Sequence, residues 1–398
     1  MSLKYIVPVM AVAGRAIAAS SCSASTTTLH SQADATALSA CQTFTGTVAL
    51  ATDAAGSIDI SGVEEITGSL IGNNVTGLTT LSADNLQKIG DTFSLQACTI
   101  LSGLTFPALV NVAKIDWAYL SALQELSFDQ GVQMAKSVSI QTTGLTTLTG
   151  INLQEVDTMV IANNHFLNDV TMQLGNVTDH FSCQANAQNF SIAFPNLIWA
   201  NQLEINNVSS IDLPSLMYVN ESAYFTANYF QTLSAANLTS VGESLSFVAN
   251  SDLTNVTMPL LTSITGGLTV ANNTDLQKVN GFTSLKTIGG AFDFFGNFTD
   301  VELPAITEVQ GAFNLQSTGD ISKACDHFQS IAGSSSVIRG TFTCHYNDAS
   351  AGGIGSGSTG VQNGGDGSST TSSAAAVPML IPGATGVLGV LLAMLGML

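Results

Sequence analysis

The sequence predicts an all-β protein, a single right-handed β-solenoid of about twelve rungs of 21–24 residues with disulfide-stapled caps. Short apolar alternations recur along the chain at a nearly constant spacing, and no segment of 10–12 residues has a helical apolar period. Such a regular period favours one repeat array over several globular domains. The repeated strands start at Leu70, Phe93, Ile115, Val138, Met159, Phe181, Leu203, Tyr224, Leu245, Leu268, Phe292 and Phe313.

Each repeat contains two extended halves. In the first half, at 268–271 for example, apolar residues stand two apart, so one face of the strand is buried. The second half carries another alternation, often with proline, as at 104–109, 211–216 and 301–306. We therefore expect the second side of each rung to be extended or turn-like.

Asparagine recurs six residues into many repeats, at Asn164, Asn186, Asn250 and Asn273, and Cys98 takes the same place. A buried asparagine at a bend can bond backbone groups that would otherwise lack partners. Asn297 also falls at this place, yet it begins a glycosylation sequon. It cannot be both buried and glycosylated, so the sequence leaves Asn297 undecided.

The two chain ends carry the patterns of targeting segments. Residues 1–18 read as a secretory signal peptide, with an apolar run from Tyr5 to Ala13 and small residues before the cut; a buried N-terminal helix is the alternative. At the other end, a polar spacer precedes an apolar run from Ala374 to Leu398. This order is typical of a GPI-attachment signal, with Asn363 as the expected attachment residue and Gly365 or Gly367 as alternatives. The rival, a tail anchor, calls for charged residues beyond the apolar run, and none follow.

These segments divide the chain into six parts. They are the signal peptide 1–18, an N-terminal cap 19–57, the solenoid repeats 58–320, a C-terminal cap 321–346, a Gly/Ser-rich stalk 347–363 and a GPI-attachment propeptide 364–398. The mature chain contains nine N-x-S/T sequons, which are glycan acceptors in a secreted protein. Their asparagines are Asn74, Asn176, Asn189, Asn207, Asn220, Asn237, Asn255, Asn272 and Asn297.

Six cysteines accompany this secretory pattern, and an oxidising compartment favours disulfides. Cys22 and Cys41 precede the first rung, and Cys325 and Cys344 follow the last, so each pair is expected to staple one cap. Cys98 and Cys183 stand four rungs apart, roughly 19 Å, which is too far for a disulfide. We expect both to be unpaired and buried. Zinc binding by the last cysteine pair with His327 and His345 is the alternative to its disulfide.

Charge and chemistry exclude several functions. Nine Lys and Arg against 28 Asp and Glu give a net charge of −19, which argues against nucleic-acid binding. The five histidines are scattered, and the outward position Glu204 lies four rungs from both Asp116 and Asp293, too far for the paired carboxylates of a glycosidase. We expect no catalytic residue, cofactor or metal. Phe225 and Phe295, assigned to the outward face, are the candidate binding residues there.

The order of parts resembles the fungal GPI-anchored cell-wall organisation proteins, whose repeats are similar to receptor L-domains and leucine-rich repeats. The resemblance rests on the signal peptide, the 22-residue solenoid units, the terminal cysteines, the stalk and the GPI signal. It implies a non-enzymatic surface glycoprotein of cell-wall organisation, held at the plasma membrane by a GPI lipid or in the wall. Wall polysaccharide or wall proteins are the implied partners. Two other functions stay open: a receptor or adhesin that binds glycan or protein along the sheet face, and a wall-glycan enzyme using an acid such as Glu204.

Overall fold

A computed structural model describes residues 22–349 and 351 of the chain. These residues form a parallel β-solenoid of about thirteen turns, in agreement with the predicted fold. The predicted signal peptide, most of the stalk, Asn363 and the propeptide lie outside the described residues.

The described residues contain two helices, α1 (Gln32–Ala37) and α2 (Ser322–Ser330), which lie near the two ends of the solenoid. The strands, in chain order, are β1 (Ser23–Leu29), β2 (Thr43–Leu50), β3 (Ala55–Asp59), β4 (Glu65–Ile66), β5 (Leu70–Asn73), β6 (Gly77–Ser82), β7 (Lys88–Gln96), β8 (Gly103–Thr105), β9 (Asn111–Leu120), β10 (Ser137–Thr143), β11 (Glu155–Ala162), β12 (Asp169–Thr171), β13 (Asn176–Gln184), β14 (Ser191–Ala193), β15 (Trp199–Asn206), β16 (Ser210–Asp212), β17 (Tyr218–Val219), β18 (Ala223–Thr226), β19 (Thr232–Ser234), β20 (Ser240–Val241), β21 (Leu245–Val248), β22 (Asn255–Thr257), β23 (Ser263–Ile264), β24 (Leu268–Ala271), β25 (Lys278–Val279), β26 (Thr287–Ile288), β27 (Phe292–Gly296), β28 (Asp300–Val301), β29 (Glu308–Val309), β30 (Phe313–Ser317) and β31 (Phe342–His345).

Twenty-one of these strands form one parallel sheet, which we call the front sheet. The back of the solenoid carries four small sheets of two or three strands: β3-β6-β8, β12-β14-β16, β19-β22 and β25-β28. The front sheet also includes β1 and β2, which pair in parallel, so its ladder continues into the segment assigned to the N-terminal cap. At the other end β31 adds a further strand beside β30.

The register of the front sheet confirms eleven of the twelve predicted strand starts and corrects the remaining one. Leu203 pairs with Ala223 and Ala223 with Leu245, so the inward residue of this rung is Ala223, and Tyr224 points outward. The error arose because Ala223 is small, and the large neighbouring aromatic residue dominates the apolar alternation. The slip of one residue exchanges the two faces of the strand.

Inward side chains of successive rungs stack in columns and form one continuous core. Near the C-terminal end the column is aromatic: the rings of Phe292 and Phe313 stack with centroids 4.2 Å apart. Phe328 of α2 packs on Phe313 at 4.9 Å. The helix thus covers apolar residues that would otherwise be exposed at the end of a repeat array.

Most front strands end at a residue with positive φ, for example Asn163, Asn207 or Ala249, and the next residue turns into the core. That next residue is asparagine in several rungs, and its side chain reaches the neighbouring rungs. Asn250 Nδ2 donates to the carbonyl oxygen of Phe225, while its Oδ1 accepts from the backbone N–H of Asn228. The buried ladder of asparagines is therefore confirmed, and it comprises Asn164, Asn186, Asn228, Asn250 and Asn273.

The structure also decides the position of Asn297. Asn297 is exposed, and Phe298 beside it is fully buried, so Asn297 does not belong to the buried ladder. Asn297 stands five residues after Phe292, as Asn273 does after Leu268, but Phe298 takes the buried place, so this bend is one residue longer and leaves Asn297 outside. Asn297 is consequently accessible as a sequon.

Both predicted cap disulfides are present. Cys22 bonds to Cys41 and Cys325 to Cys344, with Cα–Cα distances of 5.6 and 5.7 Å. Because Cys325 and Cys344 are joined, their sulfurs do not form the thiolate pair that the zinc alternative requires. Cys98 and Cys183 are free and buried. Burial raises the pKa of Cys98, and it raises the pKa of Cys183 to about 12.

Candidate functional site

The candidate site is the outward surface of the front sheet. On each rung two side chains point outward from the strand that precedes the positive-φ bend, and in-register pairing aligns them with those of neighbouring rungs. We call the two rows the first and second outer columns, and together the front face. The first runs Ile71, Ser94, Asp116, Ser139, Val160, Ser182, Glu204, Tyr224, Ser246, Thr269, Asp293 and Asn314. The second runs Asn73, Gln96, Ala118, Gln141, Ala162, Gln184, Asn206, Thr226, Val248, Ala271, Phe295 and Gln316.

The structure contradicts one of the two aromatic residues expected on this face. Phe225 points inward, is only 3% exposed, and stacks on Phe247 with ring centroids 5.2 Å apart. This is the consequence of the one-residue register error at Tyr224, which takes the outward place. Phe295 does occupy an outward position, but it is only 5% exposed. Neither phenylalanine therefore presents an accessible ring, and Tyr224 is the aromatic residue that sequence reasoning missed.

The register confirms the spacing of the outward carboxylates. Four strand steps separate Asp116 from Glu204, and four more separate Glu204 from Asp293. At about 4.8 Å per step each gap is roughly 19 Å. A glycosidase needs two carboxyl groups roughly 5–10 Å apart. Within the first outer column, therefore, no two carboxylates have that separation.

A small polar cluster surrounds Glu204. Gln202 Nε2 donates to Glu204 Oε1 at 2.9 Å, and His180 Nε2 lies 3.8 Å from Glu204 Oε2. Ser182 stands beside Glu204 in the first outer column and two residues after His180. Serine, histidine and glutamate are the residue types of a hydrolytic triad, so the geometry matters.

The hydrogen bonding of this cluster does not fit a nucleophile. Nucleophilic catalysis needs the hydroxyl to donate to the histidine ring. Among the described residues no hydrogen bond joins the Ser182 hydroxyl to His180, and Ser182 is 8% exposed. The histidine instead faces the carboxylate at the length of a weak ion pair. The cluster is consequently a polar contact between adjacent rungs.

Asp293 is the most unusual group on the front face. It is 5% exposed, and its Oδ1 accepts a hydrogen bond from Asn314 Nδ2 at 2.6 Å. Its Oδ2 is buried without a hydrogen-bond partner among the described residues. Burial accordingly raises the pKa of Asp293, because the charged form loses hydration.

The remaining histidines do not gather into a site. His30 lies 2.8 Å from Asp53 near the N-terminal end, while His327 belongs to α2 and His345 to β31. No group of three or more His, Cys, Asp or Glu residues that could hold a metal ion occurs in the described part of the chain. In residues 22–349 and 351, no helix has both the length and the apolar composition needed to span a bilayer.

The predicted glycan acceptors lie at the surface. Seven of the nine sequon asparagines are exposed, and Asn176 and Asn207 are half-buried. Asn207 Nδ2 lies at a shallow groove of about 430 Å³ and donates to the Tyr229 hydroxyl at 3.5 Å. Attachment of glycans at these asparagines stays a prediction.

Comparison with known proteins places this architecture among fungal surface proteins. A family model described as "Ecm33: GPI-anchored cell wall organization protein" matches residues 1–39. The chain is 39% identical over 342 residues to "Cell surface GPI-anchored protein" of Arthroderma benhamiae, covering 86% of this chain and 87% of the relative. It is 36% identical to "Protein ecm33" of Aspergillus fumigatus, covering 86% and 85%. It is 32% identical to "Sporulation-specific protein 22" of Saccharomyces cerevisiae, covering 72% and 62%. No solved structure matches the chain.

Proposed function

This chain belongs to the Ecm33 family of fungal GPI-anchored cell-surface proteins, and from that membership we propose that it organises the cell wall as a non-enzymatic scaffold. The observation that carries the proposal is the 39% identity to a GPI-anchored surface protein across 86% of this chain. Similarity of that extent includes most of the solenoid, because the repeats occupy most of the sequence.

The protein is extracellular and is held at the plasma membrane, in the wall, or in both. We propose that residues 1–18 direct secretion and that the GPI lipid is attached at Asn363 after removal of 364–398. The two cap disulfides support export, because such bonds persist in oxidising compartments. The Gly/Ser-rich stalk 347–363 would link the solenoid to the lipid.

Geometry supports a role without catalysis. The carboxylates of the first outer column are spaced too widely for glycoside hydrolysis, and Ser182 does not engage His180. Wall-glycan modification using Glu204 is the alternative that these two observations disfavour. It predicts that Glu204→Gln abolishes function, whereas a scaffold should tolerate this nearly isosteric change.

A receptor or adhesin that binds along the front face is the second candidate function. It is favoured by the long, continuous strip of polar side chains that in-register stacking creates. A scaffold can use the same strip to hold wall components, so the two functions differ in whether binding elicits a signal.

The decisive experiment is a deletion strain tested for sensitivity to wall-perturbing dyes. We expect increased sensitivity, rescue by the wild-type gene, and equal rescue by Glu204→Gln. Release of the surface protein by a GPI-specific phospholipase checks the anchor separately. Normal dye resistance in the deletion strain would contradict the proposed function, and failure of Glu204→Gln alone would favour the enzyme.

A further inference from the structure

The nine sequons leave one surface of the solenoid clear. Three of their asparagines, Asn74, Asn207 and Asn272, lie at the bend directly after the second outer column, where φ is positive. Asn255 lies in the back strand β22, whereas Asn176 begins the front strand β13, six residues before the outward Ser182. Neither outer column contains a sequon asparagine in any rung from Ile71 to Gln316. Attached glycans are bulky, so they would flank the columns and restrict approach to the bends and the back, while no glycan is attached to a column residue itself.

The open face has a distinctive chemistry. Amides recur in the second outer column, at Gln96, Gln141, Gln184, Asn206 and Gln316, and small hydroxyl residues recur in the first. Lys and Arg are absent from both columns between Ile71 and Gln316. Apart from the widely spaced Asp116, Glu204 and Asp293, the polar side chains of the two columns are uncharged, and they both donate and accept hydrogen bonds.

Several of these groups are already held in place. Gln141 Nε2 donates to the Ser139 hydroxyl at 2.9 Å, and Gln316 Nε2 donates to Asn314 Oδ1 at 2.8 Å. Asn314 in turn donates to Asp293. Side chains fixed by such bonds lose less conformational entropy when a ligand arrives. The front face is thus partly preorganised.

Charge and composition discriminate between kinds of ligand. An anionic polymer would meet a chain of net charge −19 and columns without a cation. Protein interfaces depend on exposed aromatic and arginine anchors, and Tyr224 is the one aromatic residue of the columns that is not buried. A neutral polyhydroxyl chain fits better, because its hydroxyls can exchange hydrogen bonds with amides and hydroxyls repeated about every 4.8 Å.

We propose that the front face binds a neutral wall polysaccharide, laid along the solenoid across successive rungs. This inference rests on the proposed function in the wall and adds the class of ligand and the surface that binds it. The mature glycosylated protein would hold the polymer by many weak contacts and no single deep pocket.

New sequons offer a direct test. Gln141→Asn creates Asn-Thr-Thr in the second outer column, and Gln316→Thr creates a sequon at Asn314 in the first. Thr232→Asn is the matched control, because it creates Asn-Leu-Ser on a back strand beside Asn255. Gln141→Ala separates the loss of one amide from the effect of an added glycan. Mass spectrometry verifies that each new site is glycosylated, and the fluorescence of the buried Trp117 verifies folding.

Each purified, phospholipase-released protein is titrated with soluble neutral β-glucan, with chitin oligosaccharides, and with anionic polygalacturonate. We expect saturable binding of a neutral polymer by the wild type and by Thr232→Asn, and none of polygalacturonate. Binding should weaken about tenfold or more in the folded, glycosylated Gln141→Asn or Gln316→Thr protein. Gln141→Ala should retain most of the affinity.

Two results would overturn the proposal: no binding of either neutral polymer by the wild type, or equal binding by the front-face and back-face variants. The dye-sensitivity assay keeps these results distinct from the proposed function. A wild type that rescues the deletion strain yet binds neither polymer would retain the role in the wall and exclude this ligand class.

Discussion

Replacing Asn250 should reveal how much the buried asparagine ladder stabilises the solenoid. Asn250 is fully buried, and its amide joins three rungs. Oδ1 accepts from the backbone N–H and the Nδ2 of Asn228 at 3.0 and 2.9 Å. Nδ2 donates to the Phe225 carbonyl at 2.9 Å and to Asn273 Oδ1 at 3.0 Å.

Asn250→Ala removes all four of these bonds. Two backbone groups then lose the hydrogen bond that the Asn250 side chain makes to them: the N–H of Asn228 and the carbonyl of Phe225. Asn273 Oδ1 keeps one donor, because it still accepts from the backbone N–H of residue 250. An unsatisfied buried group costs about 1–3 kcal/mol, so the two groups together predict a loss of about 2–6 kcal/mol in the free energy of unfolding. Asn250→Asp keeps the volume but places an oxygen opposite two acceptors, and at neutral pH its loss should be at least as large.

Urea unfolding followed by the fluorescence of the two tryptophans, Trp117 and Trp199, measures these changes. Asn168→Ala is the control, because Asn168 is exposed on the back of the solenoid and its removal should change stability by less than about 0.5 kcal/mol. If Asn250→Asp unfolds at the same urea concentration as the wild type, the amide hydrogen bonds are not what stabilises the bend, and the reasoning fails.

Three further predictions concern close packing, titration and thiols. Gly242→Ala should destabilise the protein by about 1–3 kcal/mol in thermal unfolding, because the new Cβ would approach the Asn220 carbonyl oxygen. Gly175→Ala is the control and should be tolerated, because the nearest atom to its new Cβ is 3.5 Å away. Equal melting temperatures for the two variants would refute this prediction. Burial raises the pKa of Asp293 in the folded protein, so the folded state binds this proton more tightly than the unfolded state does. Lowering the pH from neutral toward 3.8 should therefore increase the contribution of Asp293 to the free energy of unfolding. Asp293→Asn should remove that increase, and an unchanged pH profile of unfolding would contradict the assignment. Iodoacetamide should label Cys98 and Cys183 only after denaturation without reductant, and labelling of the native protein would show that they are accessible.

The repeat period and alternation were enough to predict the solenoid, the inward columns and the cap disulfides, because each depends on local patterns that recur. The error at Tyr224 shows the limit of this reasoning. Where a rung places a small residue inward, apolar alternation no longer distinguishes the two faces, and pairing with Leu203 and Leu245 decides the register. The same slip concealed Asn228 as a member of the ladder.

Contacts between rungs were less predictable than positions within a rung. The proximity of His180 to Glu204 follows from pairing β13 with β15, which joins residues 24 positions apart. The burial of Phe295 at an outward position depends on surrounding side chains from several rungs, and the strand pattern alone does not contain that information. The outward face was therefore predicted in the observed register except at the rung of Tyr224, whereas the exposure of its aromatic residues was not predicted, and its role in binding stays a prediction.

The low charge of the chain, 9% of residues, follows from the solenoid geometry itself. In-register stacking places equivalent side chains about 4.8 Å apart, and like charges at that distance repel along the whole column. Where opposite charges meet on adjacent rungs they form ion pairs, as for Lys88 with Glu65 at 2.9 Å and Arg339 with Glu308 at 2.8 Å. Amides and hydroxyls avoid the repulsion, because each both donates and accepts. The same constraint leaves a front face whose columns carry three carboxylates, each roughly 19 Å from the next, among many hydrogen-bonding amides and hydroxyls, which suits an uncharged polymer.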